Sequence, residues 1–419
     1  MNMRWAHLRS ALGQLIHIFM PLLACALLPS VAAGQSWKLT WSDEFNGATG
    51  TAIDSKKWQF ERGDLKVNNE LEFYCAPSDG TPCDPGNPNA SIDGRGHLLI
   101  QARRISDAIA PSSKAWTSAR LNTSNKLASF LYGRIESRMQ LPVGAGIWPA
   151  FWSLGTNIDQ VNWPTCGEMD YMENVPLVGH LGPLVVKSTI HGPDYSGGEG
   201  IGKDRNLSAP VTEFHTYGAI WSPFMIQFYV DDAAEVFFVL TPQDLPKGKQ
   251  WVFEHPFFLL LNLAVGGTDS WPGPPDSATP NPARMFVDYV RVYKAERIKP
   301  PKLSLPKDAI RWNGEDELKI PLKISASPGS GRMYISCSSD EPGLACSIST
   351  GDELNDTVVN FTNKSSVPTE IRLSKLAAAN VNPGARLKTS TIHVRAWTVA
   401  SNPDDPKTYA ETKFSVRVH

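Results

Sequence analysis

Hydrophobic and polar positions alternate in short runs from about Trp37 to Val292. HLLIQARR (97–104), YGRIESRMQL (132–141), YGAIWSPFMIQFYVDD (217–232), HPFFLLLNLAV (255–265) and MFVDYVRVY (285–293) each read as strand. On a strand, successive side chains face opposite ways, so a period of two marks a half-buried one. Turn clusters separate the runs: DPGNPN (84–89), GPDYSGGEGIG (192–202) and GGTDSWPGPPDS (266–277). Long amphipathic helical periods are missing. Many short strands with turn punctuation predict an all-β sandwich or jelly roll.

The pattern breaks after Tyr293. KAERIKPPKLSLPKDA (294–309) is rich in Lys and Pro and reads as a semi-rigid linker, set at 295–306. Beyond it, ELKIPLKISA (317–326), GRMYISCSS (331–339), STIHVRAWTV (390–399) and ETKFSVRVH (411–419) are again strand-like. Residues 307–419 can therefore hold a smaller Ig-like β-sandwich with its own core. The first domain is placed at 36–294.

Upstream, the chain opens on a different pattern. Arg4 and Arg9 precede a largely apolar run from Leu15 to Leu28, and Val31 and Ala33 suit a cleavage site before Gly34. Residues 1–33 read as a signal peptide. A membrane anchor is the alternative, although His17, Pro21 and Pro29 interrupt the run. A lipoprotein site at Leu22-Leu23-Ala24-Cys25 is another, but apolar sequence continues past Cys25. No other segment is apolar enough to span a bilayer, so no membrane span is expected after signal removal.

Composition narrows the class. The 419 residues allow two domains, the net charge is −2, and charged residues are only 20% of the chain. No basic block or stripe suggests nucleic acid. The 32 glycines and 33 prolines suit a turn-rich, exported all-β protein. With Cys25 removed, five cysteines remain. Cys75–Cys83 and Cys337–Cys346 could close two local loops, leaving Cys166 unpaired, or Cys166 could pair with Cys75. No His/Cys set has zinc spacing.

The candidate chemistry lies in GEMDYMENV (167–175), which holds Glu168, Asp170 and Glu173. On a regular strand Glu168 and Asp170 share a face and Glu173 points the other way. One β-bulge restores the parity, and bulges recur beside active sites. The row is then E-x-D-x-E with one residue inserted. A solvated face or a Ca²⁺ site would also use three acids. Just upstream, GIWPAFWSLG (146–155) puts Trp148 and Trp152 an even step apart. An indole can stack on the apolar face of a sugar ring, or it can simply fill a core.

These residues resemble glycoside hydrolase family 16, and more narrowly its laminarinase-like branch of endo-β-1,3-glucanases. The blocks are WSDEFNG (41–47), NNELEFY (68–74), YGRIESRMQLPVGAGIWPAFWSLG (132–155), GEMDYMEN (167–174), TIHGPDYSGG (189–198), FHTYGAIWSP (214–223) and VDYVRVY (287–293). They fall in family order across about 36 to 294. The resemblance implies a concanavalin-like β-jelly roll, two curved sheets with an open cleft. It implies Glu168 as nucleophile, Glu173 as general acid/base and Asp170 as the supporting acid. It further implies sugar-contacting or acid-orienting roles for Asn69, Glu70, Tyr132, Arg134 and His191. Trp271, in a Gly/Pro loop, reads as a second sugar platform or a loop anchor.

Independent chemistry agrees with that assignment. Retaining hydrolysis needs two carboxyl groups about 5–5.5 Å apart. Glu168 and Glu173 start roughly 13 Å apart at their Cα atoms, and inward-leaning side chains close most of that. No cofactor is expected for catalysis. The resemblance implies a structural Ca²⁺ held by Glu44 and Asp288, with ordinary hydrogen bonding as the alternative. The expected partner is a polysaccharide, a β-glucan, met by an exported monomer working in the periplasm or outside the cell. Mixed-linkage β-1,3-1,4-glucan, galactans and transglycosylation are alternatives. A non-catalytic glucan-binding protein is disfavoured because both glutamates are present. Trp312 and Trp397, in the C-terminal domain, could stack on sugars or fill its core.

Overall fold

The computed structural model describes residues 36–419 apart from 107–108, 111–113, 125–126, 176–180, 297–300, 306–309, 313–316, 327–331, 341–343, 350–357, 361–365, 376–389, 399–408 and 419. The expected signal peptide, 1–33, lies outside the described residues. No described helix is long and apolar enough to cross a membrane.

The first domain stacks two sheets. The ten-stranded sheet runs through Val236–Leu240, Met225–Val230, His215–Ser222, Gly133–Gln140, Ala283–Ala295 and Leu98–Arg104, with shorter strands at its far side. The seven-stranded sheet has the order Ile201–Asn206, Val185–His191, Glu168–Glu173, Ile147–Gly155, Phe257–Val265, Arg120–Asn122, Gln59–Glu61. Pairing within the seven-stranded sheet is antiparallel throughout. This is the expected all-β jelly-roll sandwich.

Alternation builds the core between them. Ile135, Met139, Trp221 and Val290 from one sheet meet Phe151, Met169, Ile190 and Leu261 from the other, all fully buried. All nine residues of Phe257–Val265 are buried. Its continuous apolar run suits a strand covered on both faces. On the outer side, Phe258 and Leu260 pack with Leu154 and Cys166 in a small separate cluster. That cluster underlies the neighbourhood of the acids.

The C-terminal domain is a second, smaller sandwich. One sheet has four strands, Lys302–Ser304, Glu317–Ser325, Ser366–Lys375 and Leu344–Ser349. The other has five, Ile310–Trp312, Ala410–Val418, Ser390–Thr398, Arg332–Ser339 and Val358–Asn360. Part of the expected linker, 295–306, is therefore structured: Lys302–Ser304 pairs with Lys323–Ser325. Its Leu303 alternates with two charged or polar neighbours and packs on the second core. The cysteine alternatives are resolved as two local disulfides, Cys75–Cys83 and Cys337–Cys346, with Cys166 buried and free.

Candidate active site

The bulge is present. Against Ile147–Gly155, Asp170 pairs with Trp152 but Met172 pairs with the very next residue, Phe151. Against Val185–His191, the register likewise slips between Asp170 and Glu173. Tyr171 and Met172 both turn inward and are fully buried. Glu173 is thereby returned to the face of Glu168 and Asp170.

Three cross-strand rows result. Glu168 lies between Leu154 and His191, Asp170 between Trp152 and Thr189, and Glu173 between Ala150 and Lys187. His191 Nε2 stands 3.1 Å from Asp170 Oδ2. Asp170 is also hydrogen-bonded to Glu168. The Trp148 indole N–H donates to Glu173 Oε1 at 3.0 Å. The Trp163 indole N–H donates to Glu168 Oε2.

Burial and crowding keep protons on this row. Burial pushes the Glu168 carboxyl up to about 8, the charge of Asp170 adds to the push, and His191 opposes it. Burial pushes Glu173 up to about 7, with His191 again opposing. Asp170 is raised well above the carboxylate range, by burial first and then by the charge of Glu173. Like charges this close disfavour joint ionisation. Asp170, only 2% exposed, is the most buried of the three acids. The arrangement can present a carboxylate beside a carboxylic acid.

Aromatic rings wall the row. Trp148 meets Trp271 edge-on, with centroids 5.5 Å apart. The Trp152 indole N–H donates to Asn262 Oδ1 at 2.7 Å, and the Arg120 guanidinium sits 4.6 Å over its ring. Asn262 in turn reaches the Tyr74 hydroxyl, which donates to Glu70 Oε2 at 3.2 Å. Glu70 is thus linked to the Trp152 indole through Tyr74 and Asn262. Asn69 is exposed, with a left-handed backbone that asparagine tolerates (φ 54). Its carbonyl would lie 2.6 Å from a Cβ on Gly267, so its loop abuts the loop that carries Trp271.

Two expected residues fall elsewhere. Arg134 lies on the ten-stranded sheet, where it contacts Glu136 at 3.4 Å and covers the Tyr293 ring at 4.0 Å. Its strand alternates correctly, but the core-facing neighbour is Ile135, so Arg134 points away from the other sheet. Tyr132 is buried against Trp221, and its hydroxyl donates to Glu254.

The Ca²⁺ pair does not fit the ion. Both oxygens of Glu44 are taken by the Arg291 guanidinium, at 3.0 and 2.7 Å. Asp288 accepts from Arg138 at 2.6 Å. Each carboxylate already faces a cation, whereas Ca²⁺ draws on roughly six to eight free oxygen donors. Among the described residues, Glu168, Asp170 and His191 do bring one donor atom each within 4.8 Å of one another. One imidazole and two carboxylates make a poor oxygen cage for Ca²⁺.

Sequence reasoning missed Trp163, Asn262 and Lys187. The signal for Trp163 was its place in WPTCGE, five residues before Glu168. It remains 45% exposed, unusual for a Trp without a ligand to meet. Asn262 was hidden because it is the lone amide in an otherwise apolar strand.

Comparison with known proteins agrees with this geometry. Residues 86–291 match the family described as glycosyl hydrolases family 16. A curated β-glucanase of Rhodothermus marinus is 35% identical over 284 residues, covering 65% of this chain and 91% of that relative. Glucan endo-1,3-β-glucosidase A1 of Niallia circulans is 34% identical, covering 64% of this chain and 39% of that longer relative. The solved endo-β-1,3-glucanase from Pyrococcus furiosus superposes with a TM-score of 0.54 at 40% identity, covering 62% of this chain and 96% of that one.

Proposed function

The chain belongs to glycosyl hydrolases family 16, and from that premise we propose that it is an exported, retaining endo-β-glucanase cutting internal β-1,3-glucosidic bonds of laminarin-type glucan. The observation that carries this reading is the bulged acid row, with two glutamates on one face between tryptophan walls. The substrate class comes from the relatives, which are named as a β-glucanase and two endo-1,3-β-glucan hydrolases. The two disulfides support an oxidising compartment, hence export.

Glu168 is the nucleophile in this proposal. It accepts from the Trp163 N–H, and a donor to a carboxylate favours its charged form. Its oxygen attacks C1 of the sugar and forms a glycosyl-enzyme. Glu173 delivers its proton to the departing glycosidic oxygen. Glu173, now a carboxylate, then takes a proton from water as that water attacks C1 and releases Glu168. Trp148, Trp152 and Trp271 supply the faces against which pyranose rings stack, and Glu70 and Asn69 border that platform.

The test is product release from laminarin, barley mixed-linkage glucan and agarose, by the wild type and by Glu168→Gln. Oligosaccharides from laminarin are expected, first formed as the β-anomer, and the substitution abolishes them. First-formed α-anomer would sink the retaining mechanism. Release from agarose alone would move the substrate class to galactans.

A further inference from the structure

Each of the two glutamates on the row carries one indole donor, and the donors come from opposite sides. Trp148 belongs to the strand Ile147–Gly155 and donates to Glu173 Oε1 at 3.0 Å. Trp163 belongs to the segment leading into the strand Glu168–Glu173 and donates to Glu168 Oε2. The two indoles are anchored differently. Trp148 is braced edge-on by Trp271. Trp163 is partly open, 45% exposed, with the His191 ring 6.4 Å from its own. An indole N–H only donates, so it bonds to a carboxylate in any protonation state but most strongly to the anion.

We propose that Trp163 and Trp148 are a matched pair of positioning residues, one fixing Glu168 and the other Glu173, and that together they set the two protonation states the reaction needs. The proposal rests on the retaining reading given above. Trp163 holds Glu168 Oε2, which leaves Oε1 to attack C1. Trp148 holds Glu173 Oε1, which leaves Oε2 as the atom that gives and takes the proton. Without a donor on one oxygen, each carboxyl group could rotate and present either. Trp163 also keeps an uncovered ring face beside Glu168, suited to a sugar stacking above it.

Three groups around the row belong to the same balance. His191 faces Asp170, Lys187 lies opposite Glu173, and Cys166 stands two residues before Glu168. None of them donates to the two glutamate oxygens that the indoles hold. A change confined to one indole therefore acts first on the glutamate that the indole touches.

The experiment uses Trp163→Phe and Trp148→Phe in the full chain, because Phe keeps a ring and removes the N–H. Loss of a donor to a carboxylate raises its pKa. Glu168 is the higher of the two, so Trp163→Phe should move the alkaline limb of the kcat/KM profile on laminarin oligosaccharide upward by about 1 pH unit, leaving the acid limb in place. Trp148→Phe should move the acid limb upward by a similar amount and leave the alkaline limb in place. Unmoved limbs in both variants, or both limbs moving together in either, would overturn the proposal.

A second readout does not need activity. With ¹⁵N-labelled tryptophan, the indole signals of Trp163 and Trp148 are assigned from the two Phe variants. Each should shift with pH in the wild type. The Trp163 shift should vanish in Glu168→Gln and the Trp148 shift in Glu173→Gln. Flat indole signals between pH 4 and 9 would refute the pairing. If no glucan is cleaved but the indole signals titrate as described, the pairing stands and the glucanase reading falls.

Discussion

A carboxyl group buried beside another resists ionisation, and Glu168 and Glu173 do so in the resting protein. Both are raised, to about 8 and about 7, against about 4.5 when exposed. The folded state therefore holds more protons than the unfolded chain between those values. By linkage, stability falls as pH rises from about 4.5 to about 8, and below about 4.5 the groups contribute nothing to the slope. Glu168→Gln keeps the shape and removes the ionisation. It should raise Tm clearly at pH 8 and leave it almost unchanged at pH 4.5, measured by calorimetry at the two pH values. An equal shift at both would mean that packing, not charge, sets the difference. The same residues were legible in the sequence because the odd step from Asp170 to Glu173, the tryptophans just upstream and the family blocks around them all point to one row. Trp163 was not legible as their partner, because its donor geometry depends on how residues 162–167 turn back on the strand.

At the scale of the element, the bulge is what makes Glu168–Glu173 an active strand. A regular ladder would bury Glu173 among Tyr171's neighbours and expose Met172. Deleting Met172 leaves E-x-D-x-E, which strict alternation places on one face with no bulge. Hydrolysis should therefore survive, with Glu173 still on the face of Glu168, while Tm should fall because a fully buried methionine is taken from the core. Activity and Tm of the deletion variant check both, and abolished hydrolysis in a folded variant would mean that the bulge itself, and not the shared face, sets the carboxyl spacing. The bulge could be read beforehand from the odd step between Asp170 and Glu173. The misplaced Arg134 shows the boundary of that logic. Alternation tells which side of a strand a residue faces, but not which of two stacked sheets holds the strand. Arg134 alternates as a cleft residue would, on the sheet that does not carry the cleft. Glu44 and Asp288 fail for a related reason: their partners Arg291 and Arg138 lie on neighbouring strands that no local pattern connects.

At the scale of the whole molecule, the two sandwiches meet through aromatic rings. Phe224, on the hairpin between His215–Ser222 and Met225–Val230, lies 5.1 Å from Trp397 and 5.9 Å from Tyr334. Trp397 also meets Tyr334 and Tyr409, and the Tyr334 hydroxyl donates to Gln243 at 2.8 Å. Met225 is fully buried in the same cluster. Of the two C-terminal tryptophans, Trp312 fills the second domain's core and Trp397 belongs to this seam. A buried Trp looks the same in sequence whether its neighbours come from its own domain or from the next. The seam sits at the edge of the ten-stranded sheet, while the acid row lies on the seven-stranded one. A covered Trp397 has no face to offer a sugar, so its work is to hold the domains together. Truncating a core Trp to Ala costs about 3–5 kcal/mol, and much of that should appear here. Trp397→Ala should lower Tm of the full chain by several degrees and leave KM for laminarin unchanged, as scanning fluorimetry and initial rates would show. A raised KM at unchanged Tm would make Trp397 a sugar platform instead, and the C-terminal domain a binding module.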